Sequence, residues 1–222
     1  MNDLLKNFFY IHRLTIKKYS ILRIIQIINL IKLNLEGNIL DVGSKNSPNN
    51  ISNVLKNKKK FLDKFSNNED DFKIDLELEN KLEKYGEDKF DNILLMNVLE
   101  HIYNYENCLK ICFFFTKKGG KLVGSTPFLF RYHGSPNDYF RYTKDALEKM
   151  LINVGYKEVN VQPICGGIFI SFYSNIFLIT SKIPLLSNLI LTICIFLDWL
   201  LSFITKSYAK ILPVGYFFTA KK

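Results

Sequence analysis

The chain has 222 residues, 48% apolar and 23% charged, a composition that supports a packed core and excludes wholesale disorder. Its length suits one substantial domain with an appendage and argues against two ordinary domains. The formal charge of +9 points to an anionic partner, but lysine is abundant alongside isoleucine, asparagine and phenylalanine throughout, which weakens that inference.

Residues 3–34 read as one or two amphipathic helices, with apolar positions at helical spacing through Leu14, Ile16, Ile21, Leu22, Ile25, Ile28 and Leu33. The charges here are Lys6, Arg13, Lys17, Lys18, Arg23 and Lys32 against Asp3 alone. Two readings stand: a helix packed across a sheet with a solvated basic face, or a basic amphipathic surface that meets an anionic membrane. The same cations punctuate the first apolar stretch, so no signal peptide is expected.

The run Ile39-Leu40-Asp41-Val42-Gly43 followed by Ser44-Lys45-Asn46-Ser47-Pro48 has the form of a buried first strand, a tight turn and a helix. In an open α/β sheet such a turn lies at the carboxyl edge, where ligands bind. Its backbone N–H groups can hold a carboxylate or a phosphate. Ile51 to Lys56 reads as a short helix and Lys60 to Asp63 as a second strand. Asp63 follows Asp41 by 22 positions. Nucleotide folds place a ribose-binding carboxylate at about 20, yet a surface aspartate at a strand end is an equal alternative.

Phe72 to Leu76 reads as a third strand, and Lys89 to Asn97 as a fourth, buried on both faces. A helix from Asn104 to Phe115 is expected to stop at Lys117-Lys118-Gly119-Gly120, with glycines past its end and cations complementing its dipole. Lys121 to Pro127 forms a fifth strand, Lys144 to Val154 a helix ended by Gly155, Tyr156 to Gln162 a sixth strand, and Val214 to Ala220 the last. The alternation predicts an α/β, Rossmann-like, doubly wound seven-stranded sheet over 36–165 and 213–222, preceded by the N-terminal helices at 1–35.

The stretch 166–212 is an apolar insert, charged only at Lys182, Asp198, Lys206 and Lys210. Two helices, about 168–181 and 184–206, fit it as a hairpin, because the last strand must return to the same sheet. The pair either meets the membrane or packs on protein, covering an acceptor pocket or a homodimer seam; Asp198 beside Trp199 argues against a lipid-exposed span. Cys108, Cys112, Cys165 and Cys194 form no metal spacing with the histidines, so free buried thiols, no metal site and a reducing cytoplasmic compartment are expected.

Three stretches carry a family resemblance: Asp41-Val42-Gly43; Phe90 through Val98-Leu99-Glu100-His101; and Lys118-Gly119-Gly120-Lys121-Leu122-Val123. In that order they resemble the class I methyltransferases that use S-adenosylmethionine. The resemblance implies that Asp41, Gly43 and Ser44 cradle the methionine part, Asp63 binds the ribose hydroxyls, Asp75 and Leu76 flank the adenine, and Asn97, Glu100 and His101 close the site. The family's glycine-rich loop has glycine where this chain has Lys45, a departure that bears on cofactor affinity. The loop Pro127 to Thr143 is similar to a segment of methyltransferases that accompany bacterial surface-polysaccharide gene sets.

That loop leaves the carboxyl end of a strand and is dense in aromatic and ionisable groups. His133 is the candidate base for an acceptor hydroxyl, with Asp138 and Arg141 beside it; Asp138 and Arg141 also suit a local ion pair, and Thr143 a helix cap. The expected function is O-methylation of a glycan-related or lipid-linked acceptor at the inner membrane surface. The alternative is a catalytically inactive relative. No nucleic-acid partner is expected, since the insert is apolar where a basic groove would be needed.

Overall fold

The computed structural model describes residues 2–43, 50–65, 71–78, 82–134, 136–204 and 208–222. It divides into two compact units. One comprises 31–126, 132–162 and 217–222; the other comprises 1–30, 127–131 and 163–216.

Six strands are present among the described residues: β1 (Ile39–Val42), β2 (Lys59–Leu62), β3 (Phe90–Met96), β4 (Thr116–Pro127), β5 (Lys157–Gly166) and β6 (Pro213–Lys221). They form one sheet in the order β2-β1-β3-β4-β6-β5. β1 pairs in parallel with β2 and β3, and β3 in parallel with β4. Gly119 donates to the Lys222 carbonyl and Lys222 to that of Gly120. Phe128, at the other end of β4, donates to Val214, so β6 runs antiparallel to β4. β1 and β3 are almost wholly buried, which is why they read as apolar runs.

The expected third strand, Phe72 to Leu76, does not form, which leaves six strands among the described residues where seven were expected. Leu62 and Phe72 make a single parallel bridge, and the residues after it are tied to a helix instead. Asn107 on α4 (Tyr105–Phe115) donates to the Leu76 and Leu78 carbonyls at 2.8 Å. Glu77 accepts from the backbone of Tyr103 and Asn104 in return. Ile51 to Lys56 is likewise shorter than expected, a 3-10 turn over Ile51–Val54 capped by the Asn50 side chain.

Gly119 and Gly120 do not end α4. The helix stops at Thr116, whose hydroxyl donates to the Cys112 carbonyl, and both glycines lie within β4. A Cβ on Gly120 would sit 2.9 Å from the Asp91 and Lys117 carbonyl oxygens. Glycine is needed there for backbone approach at an irregular register between Phe90 and Asn92. α5 (Lys144–Val154) begins at Thr143, whose hydroxyl accepts from the Ala146 N–H, and ends at Gly155 with φ +114°.

The other unit is mostly helical, with the end of β5 and the start of β6. It holds α1 (Asn2–Lys6), α2 (Phe8–Ile16), most of α3 (Ile21–Lys32), α6 (Ile168–Thr180), α7 (Pro184–Ile204) and α8 (Tyr208–Ile211). α2 packs on α7, where Nδ1 of His12 meets Oδ1 of Asn188 at 3.0 Å. α3 buries eight residues, Gln26 among them, so it has no broad solvated face.

α6 and α7 pack together. On α7, Ser187, Leu191, Cys194, Ile195 and Asp198 are buried, whereas Leu185, Leu189, Ile193, Phe196, Leu200 and Phe203 are exposed. Both sets recur at three- and four-residue intervals, so the helix has an inner stripe and an outer stripe, and both are largely apolar.

Candidate functional site

The parallel register brings several of the expected residues to the carboxyl ends of β1, β2 and β3. Val42 pairs with Leu62, which sets Gly43 and Asp63 side by side just beyond the two strands. Gly43 donates to the Leu62 carbonyl at 2.8 Å and has φ +73°. A Cβ there would lie 2.9 Å from Val98, so the turn needs glycine for both conformation and space. Asp41 is buried within β1 and accepts from the Asn50 amide at 3.1 Å. Ser44 and Lys45 lie outside the described residues.

Asp63 turns the chain after β2, with Oδ1 accepting from the Phe65 N–H at 2.9 Å. Asp75 makes a similar turn with Glu77 and pairs with Lys64 at 3.5 Å, while Leu76 is buried. Asn97 follows β3 with φ +55°, in the left-handed region, and its N–H donates to the Ser125 carbonyl at 2.8 Å. Strain of that kind concentrates at functional sites.

A 3-10 turn, Leu99–His101, follows Asn97 and carries two titratable groups. Glu100 is fully buried, and neither of its carboxylate oxygens has a hydrogen-bond partner among the described residues. The Thr126 hydroxyl at the end of β4 is also buried, with no hydrogen-bond partner among the described residues. Orphaned polar atoms are uncommon in folded proteins, and these lie where an open α/β sheet binds ligands. A cavity of about 250 Å³ lined by Leu35, Asp91, Gly119 and Lys121 lies at the opposite edge of the sheet and contains none of these groups.

The 132–143 loop is fastened to the same turn. The Glu100 carbonyl accepts from the N–H groups of Tyr139 and Phe140, at 2.8 and 3.3 Å. The Phe140 ring stacks on Tyr103, with centroids 5.8 Å apart. His133 is thereby held over Glu100, with Nε2 3.6 Å from Oε1. Its Nδ1 lies 3.3 Å from Oδ2 of Asp138, and its backbone N–H donates to the same oxygen at 2.9 Å.

Asp138 takes both its oxygens to the Arg141 guanidinium, with Nη2 donating to Oδ2 at 2.6 Å. That fork, with a smaller contribution from the His133 N–H, holds the Asp138 carboxyl down to about 2. The ion pair anticipated at this spacing is therefore present, and it also positions His133. Thr143 caps α5, as its place in the sequence suggested. Asn137 had no signal in the sequence; its carbonyl meets Nδ1 of His101 at 2.5 Å.

No family model and no curated protein matches the sequence. Solved structures do match. A methyltransferase dependent on S-adenosylmethionine from Archaeoglobus fulgidus aligns at TM-score 0.53 and 12% identity, over 90% of this chain and 94% of that one. A possible histamine N-methyltransferase from Thermotoga maritima aligns at TM-score 0.55 and 15% identity, over 99% and 95%. The chain has the methyltransferase fold. A 1,6-didemethyltoxoflavin-N1-methyltransferase from Burkholderia thailandensis, solved with its substrate and S-adenosylhomocysteine, aligns at TM-score 0.52 and 13% identity over 100% and 86%. At such identities the likeness is one of fold, and the methyltransferase fold of this chain carries the rim described above.

Proposed function

We propose that the chain is a methyltransferase that uses S-adenosylmethionine to methylate a hydroxyl oxygen of a glycan-related or lipid-linked acceptor at a membrane surface. The observation that carries this reading is the shared rim: the Gly43 turn, Asp63 beside it and the strained Asn97 at adjoining strand ends. The cofactor, when bound, supplies an electrophilic methyl group on a sulfonium.

Gly43 leaves room for close backbone approach, and Asp63 offers a carboxylate to a ribose diol. Asp41, Ser44, Asp75, Leu76 and Asn97 complete the proposed cofactor side. His133, Asp138 and Arg141 form the acceptor side. Alignment of the two reactants can lower the barrier by about 7–11 kcal/mol, so the residues' chief task is to position.

Titration calorimetry with S-adenosylhomocysteine tests the cofactor side. Saturable one-to-one binding is expected, weakened about 10- to 100-fold by Asp63→Ala, the loss of charge-assisted hydrogen bonds. An absence of binding by the intact protein would leave the fold without this activity.

The membrane part of the reading rests on the outer stripe of α7, where Leu185 is 82% exposed and Ile204 80% exposed. This helix has the length and apolarity of a span, but Asp198 is buried on its inner stripe against protein. A helix lying along the lipid surface satisfies both facts. The protein is expected to float with vesicles containing anionic lipid, and Leu189→Lys with Phe196→Lys to abolish flotation without lowering the melting temperature. A soluble monomer that ignores such vesicles excludes the membrane part alone.

A further inference from the structure

The carboxyl rim contains an arrangement that cofactor binding does not explain. Nε2 of His133 lies 3.6 Å from Oε1 of Glu100, and Nε2 of His101 lies 3.8 Å from the same oxygen. One donor atom from each of the three residues fits within 4.8 Å of the others. The two imidazole centroids are 5.0 Å apart with the rings nearly perpendicular. These separations are too long for hydrogen bonds. They are close to the spacing of ligands on one cation, since atoms bound at about 2.1 Å lie about 3.0 to 4.2 Å apart around it.

The outward nitrogens indicate what the inward ones present. Nδ1 of His101 meets the Asn137 carbonyl, an acceptor that requires a proton on that nitrogen. Nδ1 of His133 faces the Asp138 carboxylate, which favours the same tautomer. In that neutral tautomer both Nε2 atoms offer lone pairs, and both face a buried carboxylate whose oxygens have no hydrogen-bond partner among the described residues. Histidine ligands of metals are held in this way, with the far N–H given to a carbonyl or a carboxylate.

We propose that Glu100, His101 and His133 hold a divalent first-row transition cation such as manganese, cobalt, iron or zinc. Two imidazoles and one carboxylate favour these ions over magnesium and calcium, whose preferred ligands are all oxygen. This assigns Glu100 and His101 to a cation rather than to the cofactor, and makes His133 a ligand rather than a free base. Glu100 is sealed within the protein, while the imidazoles are 12% and 30% exposed, so open coordination positions face the acceptor side.

The proposal rests on the methyltransferase reading for its consequence, not for its existence. A hydroxyl oxygen bound at an open position loses its proton to solvent water more readily. That oxygen's electron pair then forms the bond to the methyl carbon, the carbon–sulfur pair returns to sulfur, and S-adenosylhomocysteine leaves.

The test uses tag-free, chelator-stripped protein titrated calorimetrically with the chlorides of manganese, cobalt, zinc and magnesium. One equivalent of a transition cation is expected to bind, more tightly than magnesium, with visible absorption of the cobalt form that reports nitrogen ligation. Glu100→Gln and His133→Gln should each weaken binding at least tenfold. His12→Gln, in the other unit, should leave it unchanged. Melting curves and S-adenosylhomocysteine titrations of each variant establish that it is folded, and His133→Gln alters a partly exposed loop residue should Glu100→Gln fail to fold.

Absence of saturable binding by the intact protein, or equal binding by the Glu100 and His133 variants, overturns the proposal and leaves an ion-pair network. Cation binding without S-adenosylhomocysteine binding upholds the site and removes the methyltransferase reading. The converse result removes the site alone.

Discussion

Replacing Asp198 by alanine is expected to lower the unfolding free energy by about 3–5 kcal/mol, because it strips a buried anion from the donors arranged around it. Asp198 is fully buried in α7. Its Oδ2 accepts from the Ile170 N–H at 2.7 Å, and its Oδ1 from the Phe169 N–H at 3.1 Å and the Tyr208 hydroxyl at 2.7 Å. The first two are among the amide groups that a helix start leaves unbonded, and the anion also complements the α6 dipole. One carboxylate thus joins α6, α7 and α8.

Gly167, just before α6, has φ +145°, and a Cβ there would fall 2.3 Å from Oδ2 of Asp198. Gly167→Ala should therefore cost about 2–3 kcal/mol through strain and collision. In the Asp198→Ala background the collision disappears, so the double variant should be more stable than the sum of the single losses predicts. Urea unfolding followed by fluorescence of Trp199, the chain's one tryptophan, measures all three. A loss below about 1 kcal/mol in Asp198→Ala would mean that the cap adds only what an ordinary hydrogen bond does.

Asp198 also shows where sequence reading stops. An acid in a long apolar helix is legible as evidence against a lipid-exposed span, and the structure agrees in burying it. Its partners lie 28, 29 and 10 residues away along the chain, none within a helical turn, so they leave no local pattern. β1 and β3 are legible because a strand buried on both faces must be apolar along its length. Phe72 to Leu76 has strand-like residues, but strand formation also requires a neighbour with free backbone groups. Asn107 and Glu77 bind this segment to the start of α4 instead. Gly119 and Gly120 misled for a related reason, since glycine serves a helix end and a crowded strand equally well and only the partner distinguishes them.

The same limit governs the site. Glu100-His101 and the His133 loop are each conspicuous in the sequence, but their meeting depends on the Glu100 carbonyl gripping Tyr139 and Phe140. The expectation of no metal came from looking for cysteine and histidine spacings along the chain. It did not weigh the grouping of Glu100, His101 and His133 that carries the cation proposal, which comes from two segments 32 residues apart and has a carboxylate as its third member.

Asp138→Ala is the second large effect expected. The Asp138 side chain is 1% exposed and the Arg141 side chain 25% exposed, so the pair is poorly screened. Removing the carboxylate should destabilise the protein by about 2–4 kcal/mol, most of it the cost of depriving Arg141 of its fork. Arg141→Leu in that background should recover part of the loss, because the uncompensated cation goes with it. Arg141→Lys should not substitute for arginine, since an ammonium cannot engage both oxygens in the same plane.

The loss should be local as well as global. Trypsin should cut at Arg141 and Lys144 faster in Asp138→Ala than in the intact chain, because the 132–143 loop loses its inner brace while keeping the Tyr139 and Phe140 bonds to Glu100. S-adenosylhomocysteine affinity should stay within about twofold, since Gly43 follows β1, Asp63 follows β2 and Asn97 follows β3, none of them on the 132–143 loop. Cation affinity should drop about 10- to 100-fold as His133 loses its orienting partner. If melting, proteolysis and cation affinity were all unchanged, the Asp138 carboxylate would be idle and the fork with Arg141 would position nothing.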